Sequence, residues 1–387
     1  MQAPPTYPEV RARSLALAEP LSDEDCGAQS MGDASPVKWH LAHTTWFFET
    51  FILERYERDF TPFHAAFRVL FNSSYNGIGE RHPRAARGLL TRPALAEVRT
   101  YRANVDARMT RLLARLPIDA ELATLVALGL QHEQQHQELI LTDVLHLLAQ
   151  HPLLPAYSAA QQEKGTAAPL AWIDVEAALV DIGHDGASFC FDNELPRHRV
   201  WVAPFALAQR LVTNGEYLAF IEAGGYRDPA LWLAEGWDDV CRQQLAHPLY
   251  WRRDDDGAWH EFTLGGEVPL DLARPVTHLS LFEAAACAQA MGARLPTEAE
   301  WEVASHDARI AQLFGHCWQW TSSSYSPYPG YVCAPGALGE YNGKFMLNQY
   351  VLRGSSCATP PGHARASYRN FFPASTRWQF SGLRLAR

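Results

Sequence analysis

Apolar residues in the first half of the chain recur every three to four positions, as they do along helices with one buried face. Residues 8–150 are therefore predicted to form a bundle of long helices interrupted by one long loop over residues 71–88. A helix is predicted to begin near Ser35, which suits an N-cap, with Pro36 at the first helical position. The clearest helix ends before Pro152, and its apolar positions are Leu122, Leu125, Val126, Leu139, Ile140 and Leu147.

The pattern changes after residue 170 to short runs typical of β-strands, separated by Gly, Asp, Asn and Pro. The predicted strands are residues 172–175, 178–183 and 198–202. The predicted helices are residues 213–223, 280–291 and 297–304. Thr297 and Glu300 form a possible capping box for the last helix. This half is predicted to be an α+β domain rich in loops.

Composition indicates where the two domains divide. The segment between Gln150 and Leu170 is rich in Pro, Ala, Gln and Gly, which is typical of a linker. We therefore predict a helical domain over residues 1–155, a linker over residues 156–170 and an α+β domain over residues 171–387. The length of 387 residues and the 47% hydrophobic content fit a globular protein of two domains.

The formal net charge of -10 argues against nucleic acid or an anionic membrane surface as the main partner, so small molecules are expected. The N-terminal residues lack the pattern of a secretory signal, and no 18-residue apolar run is present. A cytoplasmic location is expected. The seven cysteines are odd in number and contain no Cys-x-x-Cys pair, which disfavours a disulfide framework or a thiolate zinc site. Cys317 and Cys357 lie in aromatic and Gly-rich motifs, so either could line a site.

Two histidines with metal-ligand spacing stand out in the clearest predicted helix. His132 and His136 are four residues apart, so they lie on one helix face, where two ring nitrogens can reach one ion. A solvated pair of this kind often binds nothing. The predicted helix after Ser35 adds His43, which falls in an apolar stripe and therefore needs a polar partner when it is buried. His40 is the competing choice, and spacing alone does not exclude it.

The predicted loop contains Arg81, Arg84 and Arg87 among many turn residues. Three guanidinium groups in such a loop could bind an anionic or hydroxyl-rich ligand. A solvated basic connector is the alternative interpretation.

Motifs in both halves support a family resemblance. The first half contains Trp39-His-Leu-Ala-His43-Thr-Thr-Trp and His132-Glu-Gln-Gln-His136 and resembles DinB-like helix bundles. Residues 170–387 resemble the formylglycine-generating-enzyme type of C-type-lectin-like domain. The motifs of that half are, in order, Gly183, Arg197-His-Arg-Val, Val212-Thr-Asn-Gly-Glu-Tyr, Pro275-Val-Thr-His-Leu-Ser, Arg294-Leu-Pro-Thr-Glu-Ala-Glu-Trp-Glu302, Leu352-Arg-Gly-Ser and Gly382-Leu-Arg. Together the two halves are similar to the ergothioneine-biosynthesis sulfoxide synthases and their selenoneine synthase relatives.

The resemblance implies an enzyme with mononuclear non-haem Fe(II) that uses O2 to join sulfur or selenium to C2 of the imidazole of hercynine, the trimethylated betaine of histidine. It implies that His43, His132 and His136 are the iron ligands. Three neutral imidazoles suit Fe(II) and leave coordination positions for substrates and O2. The resemblance also places Gln135, Asn370, Phe371 and Phe372 at the hercynine. Aromatic faces suit its trimethylammonium group, although the two phenylalanines could equally be core residues.

The arginine loop corresponds to the donor-binding loop of the family. The resemblance implies that Arg84, with Arg81 and Arg87, holds the polar part of the donor. A tyrosine beside it is expected to supply a proton or a hydrogen bond. Many bacterial members carry Asn-Ser-Tyr-Tyr here, whereas this chain has Asn72-Ser-Ser-Tyr75, so Tyr75 is the remaining candidate.

Two departures from the family pattern bear on the donor. Ser74 replaces a tyrosine, which makes room and adds a hydroxyl, and this favours a selenosugar donor. A cysteine or γ-glutamylcysteine thiol is the alternative donor. The second departure is Cys317 and Gln319, where the lectin-like fold usually has Val and Glu, and this change could also alter the donor pocket.

Two other classes of function are compatible with parts of the sequence. His132-Glu133-x-x-His136 also satisfies the zinc metalloprotease pattern, in which Glu133 would be the general base. The downstream His-x-x-Gly-x-x-His extension of one protease class is missing, and a protease has no need of His43 in another helix. A non-catalytic metal-binding or ligand-binding module is the other alternative, because lectin-like domains often only bind.

Overall fold

A computed structural model describes residues 5–115, 119–159, 164–334, 336, 339 and 342–387. It contains two compact units. The first unit comprises residues Met1–Ser158, Ala334–Tyr341 and Thr359–His363, and the second comprises Ala159–Cys333, Asn342–Ala358 and Ala364–Arg387. Part of the predicted linker, residues 160–163, lies outside the described residues. The first unit is helical and the second mixes helices with short strands, so the predicted fold class is confirmed.

The first unit is built on two long helices and several shorter ones. A short π-helical stretch, Glu49–Leu53, follows the third helix, and 3₁₀ turns lie at Asn76–Ile78 and Arg84–Leu89. The α-helices are α1 (Tyr7–Ala18), α2 (Asp23–Gly27), α3 (Val37–Phe48), α4 (Glu54–Tyr56), α5 (Phe67–Leu70), α6 (Leu95–Arg115) and α7 (Ala120–Ala149).

Helix α7 begins at a side-chain cap, since the carboxylate of Asp119 accepts a hydrogen bond of 2.8 Å from the amide of Leu122. It is 30 residues long, and its buried face packs against α1 and α3. Helix α3 is buried on nearly every side, and the prediction for its start was wrong by one position. Pro36 is the N-cap, because Ser35 is engaged elsewhere, as described below.

Gly129 of α7 allows a close approach between the two helices. A Cβ atom at this position would lie 2.6 Å from Cε1 of Phe48 and 3.0 Å from Cε1 of Phe47, which is closer than carbon atoms pack. Absence of a side chain at Gly129 therefore brings α3 and α7 together at the level of the histidine motifs.

In the part of the second unit that the structure describes, there are four small sheets and four α-helices. The helices are α8 (Asn214–Glu222), α9 (Ala234–Gln243), α10 (Leu281–Ala290) and α11 (Glu298–Ala304). The strands are β1 (Trp172–Val175), β2 (Ala178–Ile182), β3 (His198–Val202), β4 (Phe205–Ala208), β5 (Trp251–Arg253), β6 (Trp259–Thr263), β7 (Gly266–Pro269), β8 (Trp318–Ser324), β9 (Tyr350–Gly354), β10 (Asn370–Phe372) and β11 (Ser381–Gly382).

The largest sheet has the strand order β10-β9-β8-β11, in which only the β11–β8 pair is parallel. The remaining sheets are the antiparallel pairs β1–β4 and β2–β3 and the meander β5-β6-β7. A buried cluster that includes Ile182, Leu207 and Ala304 joins strands of the small sheets to α11. The second unit is therefore an α+β domain in which many loops connect short strands around one apolar cluster.

Local sequence signals predicted these elements well. The predicted strands at 172–175, 178–183 and 198–202 correspond to β1, β2 and β3, and three predicted helices correspond to α8, α10 and α11. The capping box predicted at Thr297 and Glu300 is present. Within the described residues, no helix combines the length and apolar character that crossing a bilayer requires.

Candidate metal centre

Three buried histidines converge inside the first unit. His43 comes from α3, and His132 and His136 come from successive turns of α7. One ring nitrogen of each lies within 4.8 Å of those of the other two, and His43 Nε2 is 3.1 Å from His132 Nε2. Among the described residues, this is the one group of three or more potential ligands that could hold a metal ion.

The surroundings of His43 fix which of its nitrogens is available. Its Nδ1 lies 2.6 Å from the carbonyl oxygen of Phe71, which can only accept a hydrogen bond, so Nδ1 carries the proton and Nε2 has the free lone pair. The indole of Trp39 is stacked on the imidazole at 4.5 Å, and that of Trp46 lies at 5.5 Å on a nearly parallel plane. The ring is therefore locked with Nε2 toward the other histidines.

Burial makes the three imidazoles neutral. It lowers the pKa of His132 to about 3 and holds the pKa values of His43 and His136 well below the usual range, with mutual repulsion as a further cause for the latter two. A neutral imidazole keeps a lone pair for a metal at neutral pH. The cluster is therefore ready to bind a cation.

His40 lies behind the cluster. Its Nδ1 is 2.8 Å from Nδ1 of His136, and its Nε2 is 3.0 Å from Oδ2 of Asp143. Spacing alone does not exclude His40 as the competing choice for the metal. The geometry places His43 in the group of three, whereas both nitrogens of His40 are engaged, one by His136 of that group and one by Asp143.

The carboxylate of Glu133 is bonded to side chains of α1 and α6. Its two carboxylate oxygens accept hydrogen bonds from Arg11 at 2.9 Å, Ser14 at 2.6 Å and Arg102. Although burial alone raises the pKa of this carboxyl group, Arg102 and Arg11 lower it to about 2. A fully buried carboxylate held by two guanidinium groups is not a general base beside a metal, and this geometry contradicts the metalloprotease alternative.

The loop predicted at residues 71–88 is irregular apart from its two 3₁₀ turns. Asn72 organises it, because its side-chain amide donates to the carbonyl oxygens of Tyr75, Gly79 and Glu80, and its Oδ1 accepts from the amide of Tyr75. Tyr75 is buried, and its ring packs against those of Trp46, Phe47 and Phe51.

The three loop arginines have different environments. Arg81 is exposed and donates to the carbonyl oxygen of Ser73, and Arg84 is exposed and donates to the carbonyl oxygen of Asp33. Arg87 is buried; its guanidinium lies 3.3 Å from the centre of the Trp39 ring and donates to the hydroxyl of Ser35 at 2.8 Å. Arg81 and Arg84 are therefore the loop arginines that solvent reaches, and Ser74 beside them is half-buried.

The remaining predicted substrate residues divide between the units. Gln135 lies on α7 in the first unit and is half-buried. Asn370, Phe371 and Phe372 form strand β10 of the second unit and are half-buried. The ring of Phe371 is stacked on that of Tyr325 at 4.1 Å, so this phenylalanine also has a packing partner.

Cys317, Cys357 and Gln319 lie within the second unit. Cys317 is fully buried beneath Gly382, and burial raises the pKa of its thiol to about 12. Cys357 is exposed. Gln319 is buried and its Oε1 accepts hydrogen bonds from Trp301 at 2.7 Å and Arg384 at 2.8 Å. Cys317 and Gln319 are core residues of this unit.

The residues of the cluster fit a divalent transition metal. Ligands on one ion at metal–nitrogen distances near 2 Å are separated by about 3 Å. Nε2 of His43 and Nε2 of His132 are 3.1 Å apart, and one nitrogen of each of the three histidines lies within 4.8 Å of the other two. Three neutral imidazoles suit Fe(II) as well as other transition metals. Sequence reasoning missed two groups around them, the carbonyl of Phe71 and the carboxylate of Asp143, because neither carries a motif.

Comparisons with known proteins match both halves of the chain. Residues 6–152 match the DinB superfamily, and residues 160–312 and 308–387 match the sulfatase-modifying factor enzyme 1-like domain. The chain is 32% identical to a protein named Hercynine oxygenase from Mycobacterium tuberculosis, over 97% of this chain and 96% of the relative. The chain belongs to the hercynine oxygenase family.

Other members support this placement. The protein named Hercynine oxygenase from Mycolicibacterium smegmatis is 32% identical over 97% of this chain and 96% of its own length. Ergothioneine biosynthesis protein 1 from Schizosaccharomyces pombe is 27% identical over 51% of this chain and 28% of its own length. The predicted resemblance to ergothioneine-biosynthesis sulfoxide synthases is thus confirmed. In this member of the hercynine oxygenase family, the three-histidine cluster lies wholly within the DinB-matched region.

Proposed function

We propose that this chain is an oxygenase that uses Fe(II) and O2 to form a carbon–chalcogen bond at imidazole C2 of hercynine. The observation that carries the proposal is the convergence of His43, His132 and His136 as neutral ligands in a buried site. Near full-length similarity to proteins named Hercynine oxygenase supports the substrate. We also propose the domain division predicted above, with residues 1–155 as the metal-binding domain.

The stoichiometry of such a reaction fixes where its hydrogen atoms, electrons and oxygen atoms go. Hercynine loses the hydrogen at C2, and the donor loses the hydrogen on sulfur or selenium. O2 accepts four electrons, so that one oxygen atom leaves as water and the other remains on the chalcogen. Bound iron supplies the coordination positions at which O2 is activated, and three protein ligands leave such positions open.

We assign hercynine binding to Gln135, Asn370, Phe371 and Phe372. The Gln135 amide lies one residue before the ligand His136 and can exchange hydrogen bonds with an imidazole or a carboxylate. The phenylalanine rings suit a trimethylammonium group, an attraction worth roughly 0.5–2 kcal/mol.

We assign donor binding to Arg81, Arg84, Arg87 and Ser74. The exposed guanidinium groups of Arg81 and Arg84 support this role most directly, because a diffusing donor can reach them. Tyr75 is the proposed proton donor. Its ring packs on Trp46 and Phe47, which themselves contact His43 and His132, so Tyr75 is one aromatic layer from the ligands.

The donor we propose is a selenosugar, since Ser74 adds a hydroxyl and removes bulk beside the donor loop. A cysteine or γ-glutamylcysteine thiol is the second candidate. Relatives named Hercynine oxygenase and Ergothioneine biosynthesis protein 1 support a sulfur product equally well.

A competition experiment tests both donors. The protein is loaded with Fe(II) without oxygen, then given O2, hercynine and equal concentrations of a selenosugar and γ-glutamylcysteine, and the products are followed by mass spectrometry. We expect a selenium adduct of hercynine in excess. If a sulfoxide is the only product, the donor is a thiol and the selenosugar proposal is wrong. If neither donor gives an adduct of hercynine, the proposed function is refuted.

A further inference from the structure

A chain of side chains extends from His136 away from the metal cluster. Nδ1 of His136 lies 2.8 Å from Nδ1 of His40, and Nε2 of His40 lies 3.0 Å from Oδ2 of Asp143. All three residues are buried. A buried imidazole with both nitrogens engaged is held in one orientation, so this arrangement can restrain the ring of His136.

The positions of the protons follow from the chemistry of each group. The carboxylate of Asp143 accepts, so His40 donates from Nε2–H. A neutral His40 then has a lone pair on Nδ1, which accepts from Nδ1–H of His136. His136 is consequently left with its Nε2 lone pair, as His43 is by the carbonyl of Phe71. Two ligands are thus set to the same tautomer by different partners.

Asp143 is itself fixed at the junction of two helices. It lies on α7, two turns after His136, and its Oδ2 also accepts from the backbone amide of Ser35 at 2.8 Å. Ser35 directly precedes Pro36, the N-cap of α3, which carries His40. The hydrogen bonds therefore run from His136 on α7 to His40 on α3 and back to Asp143 on α7. Asp143 is in turn bonded to Ser35 just before α3, so both ends of this chain are fixed to the same two helices.

We propose that His40 and Asp143 are positioning residues of the metal site, which hold His136 so that Nε2 faces the ion. The inference rests on the proposed metal site. Partners behind a ligating histidine fix its tautomer and ring orientation, and their loss typically costs 10-fold to 100-fold in metal affinity. His40 contributes to metal binding through His136.

Metal binding in the absence of substrates tests this inference. Co(II) affinity is measured by competition with a chelator for wild type, Asp143→Leu, Asp143→Asn and His40→Phe, with the visible spectrum of bound Co(II) as a second readout. His146→Gln is the matched control, because His146 is another partly buried histidine of α7 that bonds Ser30 and contacts none of the three ligands. Circular dichroism verifies the fold of each variant.

We expect Asp143→Leu and His40→Phe to weaken Co(II) binding about 10-fold to 100-fold and to change the spectrum. Asp143→Asn should lose less Co(II) affinity than Asp143→Leu, because its amide oxygen can accept hydrogen bonds from both His40 and Ser35. If Asp143→Leu and His40→Phe are folded and have the same Co(II) affinity and spectrum as His146→Gln, the inference is wrong. It is also wrong if the wild-type protein binds no metal. If wild type binds metal but makes no hercynine product, the proposed reaction fails while the positioning roles stand.

Discussion

Glu133 Oε2 lies 2.9 Å from Nη1 of Arg11, and the same carboxylate is bonded to Arg102 on its other oxygen. All three residues are buried. Glu133→Gln removes the carboxylate shared by these two buried guanidinium groups, of which Arg11 keeps Asp106, and breaking a buried ion pair typically costs about 3–5 kcal/mol. We expect a drop in the free energy of unfolding of that size in denaturant titrations.

Glu121→Gln is the control for Glu133. Glu121 is in the same helix but pairs with Arg55 at the surface, where both side chains are more than half exposed, so little change in stability is expected. If Glu133→Gln folded as stably as Glu121→Gln and lost activity selectively, the carboxylate would have a catalytic role and the structural assignment would be wrong.

Gly129→Ala should destabilise the protein although alanine favours helices. The propensity gain of up to about 1 kcal/mol is outweighed by overpacking against Phe48 and Phe47, which typically costs about 1–3 kcal/mol. Because Phe47 contacts His132, metal affinity should fall as well. Thermal unfolding and Co(II) titration measure the two effects. Gly27→Ala is the control, since a Cβ at Gly27 meets nothing within 4 Å; equal stability of both variants would contradict the close packing.

Acid should destabilise the metal-free protein through His132. The unfolded histidine takes up a proton below a pKa of about 6.5, whereas the folded one remains neutral until its pKa of about 3. The unfolded state binds more protons in that window, so stability falls as pH decreases from about 6.5 to about 3, by up to about 1.4 kcal/mol per pH unit for this group.

Urea titrations at several pH values, on wild type and His132→Gln, measure this effect. The variant cannot gain the proton, so its stability should decrease less steeply over the same window. Identical slopes would show that His132 titrates normally and is not buried as a neutral ligand.

The loop arginines should separate into two classes. Arg87→Ala removes the guanidinium from the face of Trp39 and from Ser35, and we expect a stability loss of about 2 kcal/mol or more. Arg84→Ala should leave stability nearly unchanged and raise KM for the donor. Unfolding experiments and steady-state kinetics measure both quantities. A large stability loss for Arg84→Ala, or none for Arg87→Ala, would contradict the contrast in burial.

Local signals made much of the fold predictable. The i, i+4 spacing of His132 and His136 and the capping boxes of Thr213 and Thr297 depend only on residues close in sequence. Helix α9 was missed, because its N-cap residue Leu233 offers no side-chain cap and the helix contains Gly236 and two adjacent aspartates.

Partners from distant segments were not predictable. The role of Glu133 depends on Arg11, 122 residues away, and that of His40 depends on Asp143, 103 residues away. Ser35 looked like an N-cap because its residue type favours that position. Its amide instead bonds Asp143 and its hydroxyl bonds Arg87, and both partners come from other parts of the chain.

Hercynine deuterated at C2 tests the proposed bond formation at this carbon by the three-histidine site. The Fe(II)-loaded protein is supplied with this substrate, a chalcogen donor and O2, and deuterium retention is measured by mass spectrometry against samples without O2 and with His43→Ala. We predict one deuterium lost for each adduct formed, only with wild type and O2. An adduct that retains the deuterium, or formation of the same adduct by His43→Ala, would contradict bond formation at C2 by the three-histidine site.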